Sequence, residues 1–143
     1  MRTTVGSSPT APTNPPHAII KGSISQSTPM MRIAQRESHK GYGKYRLGSV
    51  ITDRKGVVIG RGYNKGVTHP TFGNSYSGNL HAEASALVSA LKSKRSLRGG
   101  TCYVYRVGGN LAKPCPCCQE FLRSHGIEKI VYSTKEGDME EEL

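Results

Sequence analysis

Apolar positions show no period until residue 28, and from there they fall into alternating helical and strand spacing. Met30, Ile33 and Ala34 recur at helical spacing behind Thr28-Pro29, with Thr28 placed to cap, Pro29 in the first position and Gly41 as the stop. Leu47 to Thr52 and Val57 to Gly62 are β-rich runs joined by the polar turn Asp53-Arg54-Lys55-Gly56, which predicts a hairpin. Leu80, Ala84, Leu87, Val88 and Leu91 mark one face of a second helix that begins near Asn79 and ends before Arg98-Gly99-Gly100. Thr101 to Val107 reads as a buried strand. Cys118, Phe121 and Leu122 stripe a third helix closed by Gly126, and Ile127 to Tyr132 forms the last strand. A hairpin followed by two strand–helix–strand passes predicts an α/β fold, a mixed central sheet of four to five strands flanked by helices. Right-handed crossovers bring the starts of the second and third helices to one end of the sheet, where ligands gather in open α/β folds.

The 143 residues suffice for one domain, and a hydrophobic content of 35% is low enough to predict that part of the chain stays outside the core. Residues 1–27, rich in Ser, Thr, Pro and Gly and without an acid, read as a disordered tail. Arg2 and the lack of acids also fit an organellar transit peptide, with Met30-Met31 as a shorter start. Residues 137–143, with Glu140-Glu141-Glu142, read as a solvated acidic tail. With no apolar run near the ~18 residues of a membrane helix and no charged-then-apolar leader, the expectation is a soluble cytoplasmic protein without membrane partners. The net charge of +10 is concentrated upstream, residues 28–113 holding 15 Lys/Arg against 3 acids. This favours a phosphate-bearing partner, small or polymeric.

Candidate chemistry sits at the two predicted helix starts. His81 and Glu83 fall in the first turn of the second helix, and Cys115 and Cys118 flank the start of the third. An imidazole and two thiols make a three-ligand zinc site of the catalytic kind, its fourth position left to water, whereas structural sites close with four protein ligands. Thiolates at a helix start are stabilised by the dipole and free N–H groups. Zinc brings the pKa of water from about 15.7 toward roughly 7. Glu83 is then the proton carrier. The competing readings are a structural zinc knuckle and a chance grouping of cysteines.

Cys117 and Cys102 read as spare or core thiols. His69 reads as a surface loop residue or one that closes over substrate, and Asn64 as a turn residue or a substrate contact. Lys92, Lys94, Arg95 and Arg98 form a cationic helix end, complementary to its dipole or to nucleic acid. Tyr63, Tyr76, Tyr103 and Tyr105 are stacking rings or strand-face residues.

His81-Ala82-Glu83 followed by Pro114-Cys115-Pro116-Cys117-Cys118 resembles the zinc-dependent cytidine/deoxycytidylate deaminase superfamily over roughly residues 28–136. The resemblance implies a cytidine-deaminase-like three-layer fold, with His81, Cys115 and Cys118 holding one Zn²⁺ per chain, Glu83 as proton shuttle and the Ala82 amide against the base carbonyl. Gly62-Tyr63-Asn64 resembles the segment that sets an asparagine against the sugar, which makes Asn64 a substrate-binding candidate. Ser85 departs from the asparagine common in deoxycytidylate deaminases, and the chain is expected to lack the closing strand and helix that many members possess. Thr68-His69-Pro70, the stretch from Arg106 to Pro114, and Ile130-Val131-Tyr132-Ser133-Thr134 resemble phage and large-virus deaminase-like proteins.

The resemblance implies a homo-oligomer that hydrolyses a cytosine nucleotide or nucleoside of the dCMP/CMP type to its uracil product and ammonia. Two alternatives stand beside it: a deaminase of bases in tRNA or single-stranded nucleic acid, motivated by the +10 charge and the tyrosines, and a non-catalytic zinc-stabilised binding module.

Overall fold

A computed structural model describes residues 28–66 and 80–143; the tail expected over 1–27, together with His69 and Tyr76, lies outside the described residues. The elements run α1 (Pro29–Ser38), β1 (Leu47–Thr52), β2 (Val58–Tyr63), α2 (Ala82–Lys92), β3 (Thr101–Arg106), α3 (Pro116–Ser124), β4 (Lys129–Thr134) and β5 (Gly137–Glu142). They build one five-stranded mixed sheet of order β2-β1-β3-β4-β5. β1 runs antiparallel to β2 and β3, β3 and β4 are parallel, and β5 returns antiparallel to β4. β2 and β3 therefore point the same way, so α2 and α3, which follow them in the chain, both start at one edge of the sheet.

The layers follow from the register. Ile51 lies opposite Cys102 and Cys102 opposite Ile130, so these three share a face. That face carries the main core with Leu87 of α2 and Leu122 of α3. α1 covers the opposite face, where its Ala34 backbone lies against Gly48 of β1. The arrangement α1, sheet, α2 with α3 is the three-layer fold expected from the sequence. No helix among the described residues is long and apolar enough to cross a membrane.

Both early helices turn their faces differently from the simple apolar pattern. In α1 the Thr28 hydroxyl accepts from the Met31 N–H at 3.1 Å, as a cap should. The buried stripe is Met31, Ala34, Glu37 and Ser38, with Met30 and Ile33 left half-buried. Small residues take the closest approach to the sheet, and the buried Glu37 carboxylate is matched by Lys40 at 3.0 Å. α2 is buried from Ala82 through Leu87 and again at Ala90, while Leu91, expected on its apolar face, is exposed.

α2 can be buried this fully because β2 offers it glycines. A Cβ on Gly62 would lie 2.5 Å from Ser85 Oγ and 2.6 Å from Ala86 N. Gly62→Val should therefore destabilise the fold by about 3 kcal/mol, since the obstacle is helix backbone that has no rotamer to yield. Urea denaturation of the variant measures this.

The C-terminal end corrects the sequence expectation. Residues 137–143 do not form a solvated tail, and the closing strand is not missing, because β5 pairs with β4 from Lys129↔Glu142 to Thr134↔Gly137. The ladder is made by backbone, to which side-chain acidity is indifferent, and the acids have partners. Glu140 pairs with Lys129 at 3.1 Å, Glu141 with Lys113 at 3.2 Å, and Tyr132 donates to Glu141. Charge on an exposed edge strand also blocks further pairing. The domain thus extends past the expected boundary at 136.

Candidate active site

The start of α2 is fixed to the end of β2 by an isolated bridge in which the Lys65 N–H donates to the Leu80 carbonyl at 2.9 Å and the Leu80 N–H to the Lys65 carbonyl at 3.1 Å. His81 follows as the helix N-cap in extended conformation, and Glu83 sits in the first turn. At the neighbouring helix start Cys115 is the N-cap of α3, and its sulfur accepts from the Cys118 N–H at 3.5 Å. Pro116 fits the first helical turn, whose N–H groups lack intrahelical acceptors. Gln119 Nε2 donates to the Pro114 carbonyl at 2.8 Å and holds the loop against the helix.

These two helix starts bring three donors together. His81 Nδ1 lies 3.3 Å from Cys118 Sγ and 3.7 Å from Cys115 Sγ, and the three ligand atoms fall within 4.8 Å of one another. Tetrahedral zinc with Zn–S of about 2.3 Å and Zn–N of about 2.0 Å has donor–donor edges of roughly 3.5–3.8 Å. The two His81–sulfur distances are close to the edges of such a shell, and the described residues supply three donors to it, so the residues present fit zinc.

Electrostatics agree with the geometry. A hydrogen bond from Cys118, helped by the Cys118 N–H and by His81, lowers the Cys115 thiol to about 5. The proton shared with Cys115, and burial, push Cys118 upward. The two thiols thus shift in opposite directions through one shared hydrogen bond, and a bound cation would displace the thiol protons. Glu83 is buried beside them, and desolvation raises its carboxyl to about 7 against the opposing pull of His81.

His81, Ala82, Glu83 and Cys115 line an open cavity of about 380 Å³, with Lys44, Asn64 and Lys113 among the residues around it. Every predicted site residue except Cys118 therefore borders this one space, and Cys118 touches it through the other two ligands. Cys117 is exposed, and Cys102 is buried with its sulfur 3.3 Å from Ser49 Oγ, as expected for non-ligands.

Asn64 lines the cavity, but its amide is engaged locally. Nδ2 donates to the Tyr42 carbonyl at 3.0 Å and the Tyr45 carbonyl at 2.9 Å, and Oδ1 accepts from the Leu47 N–H at 2.9 Å. Both donors are thus used in pinning the 42–46 loop against the cavity, which is the turn-shaping role. Asn64→Ala should cost about 1–2 kcal/mol, and the Leu47 amide should lose protection in hydrogen exchange.

That loop is what sequence reasoning missed. Tyr42, Lys44 and Tyr45 all face the cavity, and the Arg106 guanidinium stacks on the Tyr45 ring at 4.4 Å. The available signal was Gly41-Tyr42-Gly43-Lys44-Tyr45, aromatic and basic residues between glycines, which the sequence reading treated only as a helix stop.

Comparison with known proteins gives a consistent result. Residues 24–134 match the family described as the cytidine and deoxycytidylate deaminase zinc-binding region. The deoxycytidylate deaminases of Enterobacteria phages T2 and T4 are each 34% identical over 58 residues, 41% of this chain, and that stretch spans only 28% and 27% of their respective lengths.

Among solved structures, the dCMP deaminase of cyanophage S-TIM5 in apo form has a TM-score of 0.56 at 26% identity, covering 72% of this chain and 78% of that one. The same enzyme in complex with dCMP and dUMP gives 0.55 at 25%, covering 71% and 76%. The cytidine deaminase of Burkholderia pseudomallei shares the fold with a TM-score of 0.62 at 22% identity, covering 79% and 89%. A match over most of the chain, coinciding with a three-donor zinc pocket at paired helix starts, makes this protein a member of the cytidine and deoxycytidylate deaminase zinc-binding family.

Proposed function

We propose that this protein is a hydrolase that replaces the amino group of a cytosine nucleotide, at the deoxycytidylate level, with oxygen, releasing ammonia and the uracil nucleotide. The observation that carries the reading is the buried Glu83 carboxyl in the wall of the same open cavity as the zinc donors His81 and Cys115. His81, Cys115 and Cys118 would hold the ion, which supplies Lewis-acid activation of water.

The protein's own groups account for the rest. The reaction forms one C4–O bond and breaks the C4–N bond, while protons move from water to ring N3 and to the departing amine. Glu83, buried beside the metal donors, accepts the water proton, delivers it to N3 and then carries a proton to the leaving nitrogen. The Ala82 N–H, in the first turn of α2 where N–H groups lack intrahelical acceptors, would donate to the base carbonyl. Asn64 enters as a positioning residue that fixes the 42–46 loop. Lys44 puts positive charge on the cavity wall where a nucleotide phosphate is to be accommodated, beside Lys113, which is paired with Glu141.

Support for the deoxycytidylate level comes from the phage relatives and from the cyanophage enzyme crystallised with dCMP and dUMP. Zinc-loaded protein incubated with each cytosine nucleoside and nucleotide should yield a uracil product by chromatography, fastest with dCMP. No uracil product from any of them overturns the reading. Assembly as a homo-oligomer belongs to the same proposal and is checked by light scattering.

A second reading, a base within single-stranded nucleic acid, is favoured by Tyr42 and Tyr45, 58% and 53% exposed at the cavity. Turnover of a cytosine-containing oligonucleotide faster than of dCMP would select it.

A further inference from the structure

A second concavity, of about 470 Å³, lies at the other end of the sheet between the β1–β2 turn and the loop that follows α2. Arg54 and Lys55 line it from the turn, and Arg95, Ser96 and Arg98 from the loop. α2 separates it from the zinc donors, and eleven helical residues span about 16 Å. It is therefore a distinct site.

The two loops are brought together by close packing. Gly99, at φ +76°, leaves room for Arg54, whose Cβ would lie 3.1 Å from any Cβ at that position. The Gly99 N–H is in turn tied to the Gly126 carbonyl at 2.8 Å.

Four cations share this hollow with one carboxylate, and none of the four takes part in a salt bridge among the described residues. The carboxylate, Asp53, is held by the turn, its Oδ1 accepting from the Lys55 N–H at 2.9 Å and the Val57 N–H at 3.0 Å, and it also feels the charges of Arg95 and Lys55, which leaves three positive charges in excess. The helix dipole explains Lys92 in the last turn of α2. It does not explain Arg95 and Arg98, since its effect ends within that turn, nor Arg54 and Lys55, which come from a different element. Like charges gathered in a concavity raise the local positive potential and concentrate an anion there. Three guanidinium forks suit the planar, bidentate geometry of phosphate oxygens.

We infer that this hollow binds a phosphate chain, a polyphosphate or the phosphodiester backbone of a nucleic acid, at a site separate from the deaminase cavity. The test uses the zinc-loaded full chain at low salt with two probes, inorganic tripolyphosphate by calorimetry and a fluorescein-labelled oligothymidine by anisotropy. Arg95→Gln/Arg98→Gln should weaken binding by about tenfold or more. It should also lower the salt slope for the oligonucleotide by about 1.4, at roughly 0.7 per lost contact.

Arg54→Gln/Lys55→Gln, on the opposite loop, should do the same. The exposed pair Arg36→Gln/Lys135→Gln, with equal loss of charge elsewhere, should not. Site-dependent binding of tripolyphosphate identifies a compact polyphosphate ligand, and site-dependent binding of oligothymidine alone identifies a strand. The inference is overturned if wild type binds neither probe, if both pocket pairs bind as wild type does, or if the control pair loses as much.

Discussion

Glu83→Gln should keep the zinc and lose the reaction, with kcat on dCMP falling by about 10³–10⁴-fold, the upper part of what general acid–base groups contribute. Glutamine matches the carboxyl in volume and in its burial at the start of α2, so the helix and the three donors keep their places. What it lacks is a proton that can be taken from water and passed on. Metal analysis showing one zinc per chain, beside a chromatographic assay without product, gives the expected pattern. Undiminished turnover would remove Glu83 from its role.

The same substitution carries a pH signature in the metal-stripped protein. Burial raises the Glu83 pKa from 4.5 to about 7 on folding. The unfolded chain therefore ionises first as pH rises, and the folded state loses stability between about 4.5 and 7, reaching roughly 3 kcal/mol at and above the upper end. Glutamine does not titrate. The stripped variant should match stripped wild type at low pH and exceed it above neutrality, which urea denaturation across pH measures.

The parts of this architecture that were legible in the sequence share a cause: each depends on a local rule with one solution. Thr28-Pro29 can only cap and start a helix, and Gly126 closes α3 with paired bonds, Gly126 N–H to Arg123 and Ile127 N–H to Leu122. His81 and Glu83 had to meet Cys115 and Cys118 because consecutive parallel strands deliver successive helix starts to one edge. The missed parts depend on pairing between distant residues. β5 is acidic in composition and is a strand because its backbone pairs with β4, with Lys113, Lys129 and Tyr132 on other segments receiving its carboxylates. The true face of α2 was hidden because Gly60 and Gly62, on another element, decide which side can approach the sheet. Asn64 was recognised as important, but the partners that define its task are the carbonyls of a loop some twenty positions upstream, with separations of 22 and 19 residues.

Cys118→Ser should separate a catalytic metal from a structural one. A serine hydroxyl is a poor zinc ligand at neutral pH, and removing one of three donors should weaken zinc binding by roughly 100–1,000-fold, a third of the free energy of a full site being more than enough. Dialysed variant should therefore carry far less than one zinc per chain and show no detectable deamination. The fold should persist. The main core, with Ile51, Leu87, Val104, Leu122 and Ile130 at its centre, closes without any metal ligand. Cooperative unfolding in urea should remain, with a loss of about 1–2 kcal/mol for the buried thiol and its contact with Cys115.

Cys117→Ser, one position earlier but exposed, should keep both zinc and turnover. The contrast locates the metal on one face of the first turn of α3. Chelation of wild type should reproduce the Cys118→Ser result, with activity lost and fold kept. If chelation instead unfolds the chain and no deamination is found before it, the ion is a structural pin and the protein a binding module. The donor set argues against that outcome, because a pin gains stability from a fourth protein ligand, whereas the described residues bring three donors together and Cys117 is exposed.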